Sequence, residues 1–420
     1  MDQLGLMKRR WLIAAAAVLM QLCLGTVYAW SIFKKPMMAV NGWSETQTQA
    51  AFMIYGAVFA MAVAFGGTLV DKVGPRIIGL LGGAMYGAGV LLGGVANQIQ
   101  SITLLIVAYG FIAGLGGGFG YVTPIATLIR WFPDKRGMLT GLAVMGYGLG
   151  SFILGNIGPL LIIDFGVAST FYLWGGVCLL FLVPSALILA NPPEGWAPGP
   201  VASSTDRSAT LPASSSFSEA VVSPRFWILW TMLFVSITAG LGLISQLSPM
   251  AQDVMLRGLT GNAPAERLKQ VAIASGTVVA VAGIFNGLGR LSWSWISDFI
   301  GRKAVFAIIF VSLSVGFAVL VHVNTLFIFS CICFYLLACY GGTMASMPAL
   351  AADEFGPAHI GKIYGTIFTA CGFASFCGPY IFASVKELTG GFTHALYAES
   401  ALTAFGLVLV LALKRFSRPA

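Results

Sequence analysis

Apolar runs of roughly 20 residues, the length that crosses a bilayer as an α-helix, follow one another along almost the whole chain. Nothing else in the sequence narrows the possible folds as much. In hydrocarbon every backbone N–H and C=O must be satisfied inside its own segment, so runs of this length become helices. They fall at about 11–33, 45–70, 77–97, 101–129, 137–162, 166–190, 224–252, 267–297, 303–322, 325–351, 361–386 and 390–413, which predicts an all-α membrane protein with twelve transmembrane helices. Charged residues are 9% of the 420, against about 25% in a soluble domain, so most of the surface has to meet lipid. The first run follows Lys8, Arg9 and Arg10, as in a signal peptide, but no small-residue cleavage site leads into a soluble domain. It is expected to be the first span.

A formal charge of +8 would suit nucleic acid, but its distribution points to a bilayer. Lys8, Arg9, Arg10, Lys72, Arg76, Arg130, Lys135, Arg136, Arg207, Arg225, Arg302, Lys303, Lys362, Lys414, Arg415 and Arg418 share the side to which even-numbered helices return the chain. The other side holds Lys34, Lys35, Arg257, Arg267, Lys269 and Lys386. By the positive-inside rule both termini are cytoplasmic, in a multi-pass plasma (inner) membrane protein. The seven cysteines lie inside predicted helices, without a CxxC pair or a disulfide-like framework.

The stretch 191–223 breaks the apolar pattern with five prolines and a serine cluster. It reads as a cytoplasmic linker between two pseudo-symmetric six-helix bundles, 1–190 and 224–420. The halves echo each other. Gly67-x-x-x-Asp71-Lys72-x-Gly74-Pro75-Arg76 joins helices 2 and 3, and Ser294-x-x-x-Asp298-x-x-Gly301-Arg302-Lys303 joins helices 8 and 9. Glycine permits a tight turn and close helix approach, while an aspartate there can cap a helix and pair with a neighbouring base. Repeated at equivalent places, Gly67, Asp71, Lys72, Arg76, Asp298, Arg302 and Lys303 are expected to gate one face. In these motifs the whole chain resembles the major facilitator superfamily, which implies that fold and a binding site between the halves.

Three further segments carry a narrower resemblance: Arg130-Trp-Phe-Pro-Asp134-Lys-Arg136-Gly, Ser223-Pro-Arg-Phe-Trp-Ile-Leu-Trp230, and Asn286-Gly-Leu-Gly-Arg290 leading to Ser297-Asp298. They are similar to the oxalate/formate antiporter family, relatives of the monocarboxylate (lactate, pyruvate) transporters. Arg130, Asp134 and Arg136 join the expected gating set.

Arg290 lies eight residues before Asp298, roughly 12 Å along a helix, which places it near the bilayer midplane. An arginine there costs at least ~2.5–3.5 kcal/mol. Its helix offers no acid within two turns, and Glu399 is the nearest candidate elsewhere. A guanidinium without an internal partner calls for an anion, and it matches a carboxylate bidentately. The resemblance implies the same role for this arginine. Asn286, one turn away, shares its face. It either donates to the same anion or makes an interhelical hydrogen bond, and proton-coupled monocarboxylate transporters commonly carry an aspartate there. Tyr121, Tyr147 and Tyr340 reach central depth, and Tyr28 lies nearer the periplasm. Each offers a donor and an apolar wall. The oxalate transporters of the resembled family have a lysine matching Cys371. One cation balances one carboxylate, so a monocarboxylate is favoured over oxalate, with Phe368 and Phe33 as an apolar wall.

The expected function is therefore secondary transport of a small monocarboxylate (lactate, pyruvate or similar) by alternating access, with proton symport and anion exchange both open. The alternatives are an oxalate/formate-type dicarboxylate antiporter, a transporter-fold anion sensor, and an importer of a neutral solute such as a sugar. No GxxxxGK[ST] loop, HExxH or His/Cys cluster occurs, so no enzyme activity, cofactor or metal is expected. The expected partners are a small organic anion, a co-transported proton if symport operates, and the lipid bilayer; the chain is expected to be a monomer.

Overall fold

In the computed structural model, residues 3–132, 136–193, 196, 215–257, 264–356 and 359–416 are described. Among them every regular element is helical: α1 Gln3–Gly25, a 3-10 turn Thr26–Ala29, α2 Ser31–Asn41, α3 Glu45–Val73, α4 Pro75–Gln98, α5 Ile102–Leu105, a π-helical stretch Ile106–Ile112, α6 Ala113–Trp131, α7 Arg136–Ile188, α8 Phe217–Val222, α9 Pro224–Leu256, α10 Ala265–Ile300, α11 Arg302–Leu320, α12 Leu326–Phe355, α13 Ile360–Ile367, α14 Thr369–Thr389 and α15 Thr393–Phe416. Eleven helical stretches are long and apolar enough to cross a membrane. One of them, inside the 53-residue α7, breaks at Gly166, where φ is 81° and ψ 171°. At 1.5 Å per residue α7 is long enough for two spans, which brings the crossings to twelve. The chain is an all-α, twelve-span membrane protein.

Local chemistry sets the ends. Ser44 and Gln47 form a reciprocal capping box before α3. Gly74 and Gly301 hold φ values of 96° and 85° at the two repeated turns, a region open to glycine and strained for other residues. Alternating crossings place these turns, the start of α1 and the end of α15 at one face, here called the terminal face. Arg130 ties that face together by pairing with Asp71 and donating to Asn191 Oδ1 at 2.6 Å.

The first part of α7 packs along α10, and α3 along α14. These seams join the first six spans to the last six. They depend on missing side chains: a Cβ on Gly148 would sit 2.8 Å from Gly287 Cα, and one on Gly155 would sit 2.8 Å from Ala280 N. In lipid, where hydrophobic burial gives helices little reason to associate, backbone contact of this kind supplies the packing energy. The predicted linker 191–223 lies largely outside the described residues, but its last part is not extended. Ser216 and Glu219 form a second capping box that starts α8.

Candidate functional site

Arg290 projects from α10 ten residues before its end at Ile300, about 15 Å by helical rise, half of a ~30 Å hydrocarbon core. It is 2% exposed. Nε donates to Asn286 Oδ1 at 3.3 Å, and Nη2 to Tyr28 Oη at 3.4 Å. Nη1 has no hydrogen-bond partner among the described residues. Gly341 makes the arrangement possible, because a side chain there would meet the Asn286 carbonyl and Arg290 Cγ. The bare backbone lets α12 lie against α10 at this level.

Tyr28 is the hub of the aromatic residues around this guanidinium. Its hydroxyl is 3.0 Å from Tyr340 Oη, and its ring stands edge-on to Tyr147 at 5.2 Å and to Tyr340 at 6.2 Å. Tyr147 in turn meets Tyr121 at 5.1 Å. Tyr28, Tyr121, Tyr147 and Tyr340 all lie within electrostatic range of Arg290. Beside them is a cavity of about 50 Å³ between the two sets of spans, lined by Tyr28, Tyr147, Tyr340, Phe59, Phe368 and Cys371 among others. The site is thus a cavity of aromatic rings, hydroxyls and apolar side chains, with Arg290 lying outside its lining and bonded to it through Tyr28.

One expectation changes and two open alternatives narrow. Phe33 does not reach the cavity: its ring packs on Phe171 at 4.8 Å, inside the first six spans. Five residues separate it from Tyr28, which turns a helix by about 140°, and the 3-10 turn between them shifts the phase further. Asn286 is already engaged, donating from Nδ2 to Leu337 O at 3.2 Å while its oxygen holds Arg290. In this arrangement it positions the guanidinium and anchors α12, with one amide N–H left over. Glu399, the candidate acid for Arg290, does not pair with it. It is fully buried, and neither carboxylate oxygen has a partner among the described residues. Phe59, Tyr55 and Met344 line the cavity without having been singled out. They are uncharged residues in apolar helices, where counting from the helix ends gives a depth but not a facing.

The sequence profile of the Major Facilitator Superfamily matches residues 11–379. The chain belongs to that superfamily. Its members are transporters rather than enzymes, so this is a multi-pass major facilitator transporter. It is 29% identical to the oxalate:formate antiporter of Oxalobacter formigenes over 99% of this chain and 94% of that protein. It is 24% identical to apicoplast pyruvate carrier 1 of Toxoplasma gondii, covering 97% and 90%. It is 23% identical to monocarboxylate transporter 12 of Rattus norvegicus, covering 95% and 84%.

The major facilitator turn motifs lie at the terminal face. Asp71 pairs with Arg130, joining α3 to α6. In the second copy Arg302 reaches Asp353 at 2.6 Å and Asp298 at 3.6 Å, and Lys303 reaches Glu354 at 2.8 Å. Each set of contacts stays within its own six spans. Lys72 and Arg76 are exposed. Gly67 makes no close approach, its nearest neighbour for an added Cβ being Val122 at 3.9 Å; the preceding Gly66 is the packed one, at 2.8 Å. Asp134 lies outside the described residues, as does the side chain of Arg136.

At the opposite face, here the far face, contacts run between the sets. Lys35 Nζ on α2 is 2.9 Å from Asp253 Oδ1 on α9, and Lys386 Nζ on α14 is 2.5 Å from Asp253 Oδ2. Thr46 donates through N and Oγ1 to Glu387 Oε2 at 3.1 and 2.8 Å. Deeper in, Ser248 N donates to Ser31 Oγ at 3.4 Å. The far face is bound shut across the seam.

Proposed function

We propose that the chain carries a small monocarboxylate, such as lactate or pyruvate, across the plasma (inner) membrane by alternating access, with Arg290 binding the carboxylate. The supporting observation is a guanidinium buried at midplane with no carboxylate partner among the described residues and one nitrogen unsatisfied. Leaving a buried charge unpaired is expensive, and a ligand that brings the missing charge removes that cost. At ~4 Å and an effective dielectric near 20, two unit charges attract by about 4 kcal/mol. A neutral hydroxyl adds only ~0.5–1.5 kcal/mol.

Tyr28, Tyr340, Tyr121 and Tyr147 give the cargo donors and aromatic walls, and Phe368 and Cys371 face its aliphatic end. The six-span bundles 1–190 and 224–420 rock about this site. The terminal face, with both termini, is cytoplasmic and the far face is outside. The ties of Lys35 and Thr46 then hold the outer side closed, and the paired motif turns keep each bundle rigid while the halves move. The names of the relatives support small organic anions as the cargo class.

A second reading, oxalate/formate exchange, is favoured by the 29% identity to the Oxalobacter protein across 99% of the chain. Cys371 argues against it, because a thiol offers no second charge for a dianion. Purified protein in proteoliposomes, tested for uptake of labelled lactate, pyruvate, formate, oxalate and glucose, separates these readings. Saturable uptake of a monocarboxylate with little oxalate flux is expected. Preferred oxalate uptake would replace the first reading with the second, and glucose uptake alone would end both.

A further inference from the structure

The far face holds a second cavity, about 290 Å³, that does not belong to the central site. It is bounded by α9, α12, α14, α15 and the ends of α11, all within the last six spans, whereas the central cavity lies between the two sets. Its charged lining is Asp253, Arg257 and Lys386, one acid and two bases. Its floor is apolar, built from residues such as Met250, Val254, Phe329 and Phe392. One unit of positive charge over a greasy floor is a complement for a monoanion with an aliphatic part.

The two bases have capacity to spare. Arg257 uses Nη1 on Val323 O and Asn324 Oδ1 at 2.9 and 2.6 Å. A guanidinium has five donors in a fork that suits a carboxylate. Lys386 donates to Asp253 and to Gly390 O, the latter at 2.9 Å, and lies over the Phe392 ring at 4.6 Å. An ammonium has three donors. Lys386 is therefore both a wall of the cavity and one of the two lysines that hold Asp253. The other, Lys35, comes from the first six spans.

We propose that this cavity is a second binding site, for a small carboxylate with a short aliphatic tail, held by Arg257 and Lys386. Its occupant competes with Asp253 for the Lys386 ammonium. Asp253 links three helices from the two sides of the seam, so ligand in this cavity changes the contact that keeps the far face shut. The site is argued from its own lining and does not depend on the role of Arg290.

The test uses the full chain in nanodiscs carrying Arg290→Ala, which removes the central cation, titrated with sodium butyrate by calorimetry. Saturable binding is expected to persist. Arg257→Gln and Lys386→Gln, each added to that background, should weaken it about tenfold, the loss of one charge-assisted contact. Asp253→Asn should strengthen it, because Lys386 no longer has an internal carboxylate, and misfolding does not produce a gain. Butyramide, without the charge, should not bind. Absence of saturable binding in the Arg290→Ala protein would overturn the proposal, as would binding indifferent to both Arg257→Gln and Lys386→Gln. Carboxylate uptake surviving Arg290→Ala would count against the central site alone.

Discussion

Arg290→Ala abolishes carboxylate uptake, with a loss of at least ~100-fold, or about 3 kcal/mol. No neighbour can take over the charge. Asn286 is neutral and committed to Leu337 and to Arg290 itself, and Tyr28 and Tyr340 are bonded to each other at 3.0 Å. A carboxylate entering the substituted site would shed its water and meet only hydroxyls and aromatic rings. Arg290→Lys keeps the charge but loses the fork, so an intermediate loss of roughly tenfold is expected. The same substitution to alanine should not lower the melting midpoint in detergent, because it removes a 2% exposed cation that has no carboxylate partner among the described residues. A stable protein without uptake is the expected signature. A strongly destabilised protein that still carries lactate would mean that the guanidinium is structural.

Cys371→Lys reverses the preference between one negative charge and two. Cys371 is 6% exposed and lines the central cavity with Phe368 and Tyr340. An ammonium there adds a second cation to a site whose first, Arg290, is bonded to the lining residue Tyr28, and the two repel until a dianion lies between them. The ratio of oxalate to lactate uptake should rise by ~100-fold or more, the effect of about 3 kcal/mol. Without ligand the variant should melt below the parent protein, and oxalate should restore it, since whatever binds only the folded state stabilises it. Unchanged selectivity, measured as the ratio of competing uptake constants, would show that position 371 does not face the cargo.

The fold was legible because bilayer physics acts locally along the chain. A span must be apolar for its whole length, so the twelve runs appear without knowledge of any neighbour. The break between the fifth and sixth spans was readable too, although the structure places it at Gly166. Arg290 stood out for the same reason: a charge inside such a run is costly wherever its helix packs. Facing was harder. Tyr28 and Phe33 lie close in sequence, but the 3-10 turn Thr26–Ala29 sends one to the cavity and the other into the first six spans, and no residue in that stretch announces the change. Asn286 illustrates a different limit, since its amide could have gone to a ligand or to α12, and only the approach of α12 decided it. Lys35 and Asp253 were visible as charges near helix ends, yet they are 218 residues apart. Which ends meet is a property of assembly.

The central claim is that the cargo carboxylate lies on Arg290, and a structure of the protein with bound lactate or bromopyruvate tests it most directly. The predicted result has a carboxylate oxygen within about 3 Å of Nη1, with the Tyr28 and Tyr340 hydroxyls alongside and the tail toward Phe368 and Cys371. A ligand bound elsewhere, with Arg290 turned onto Glu399 or another protein carboxylate, would contradict it.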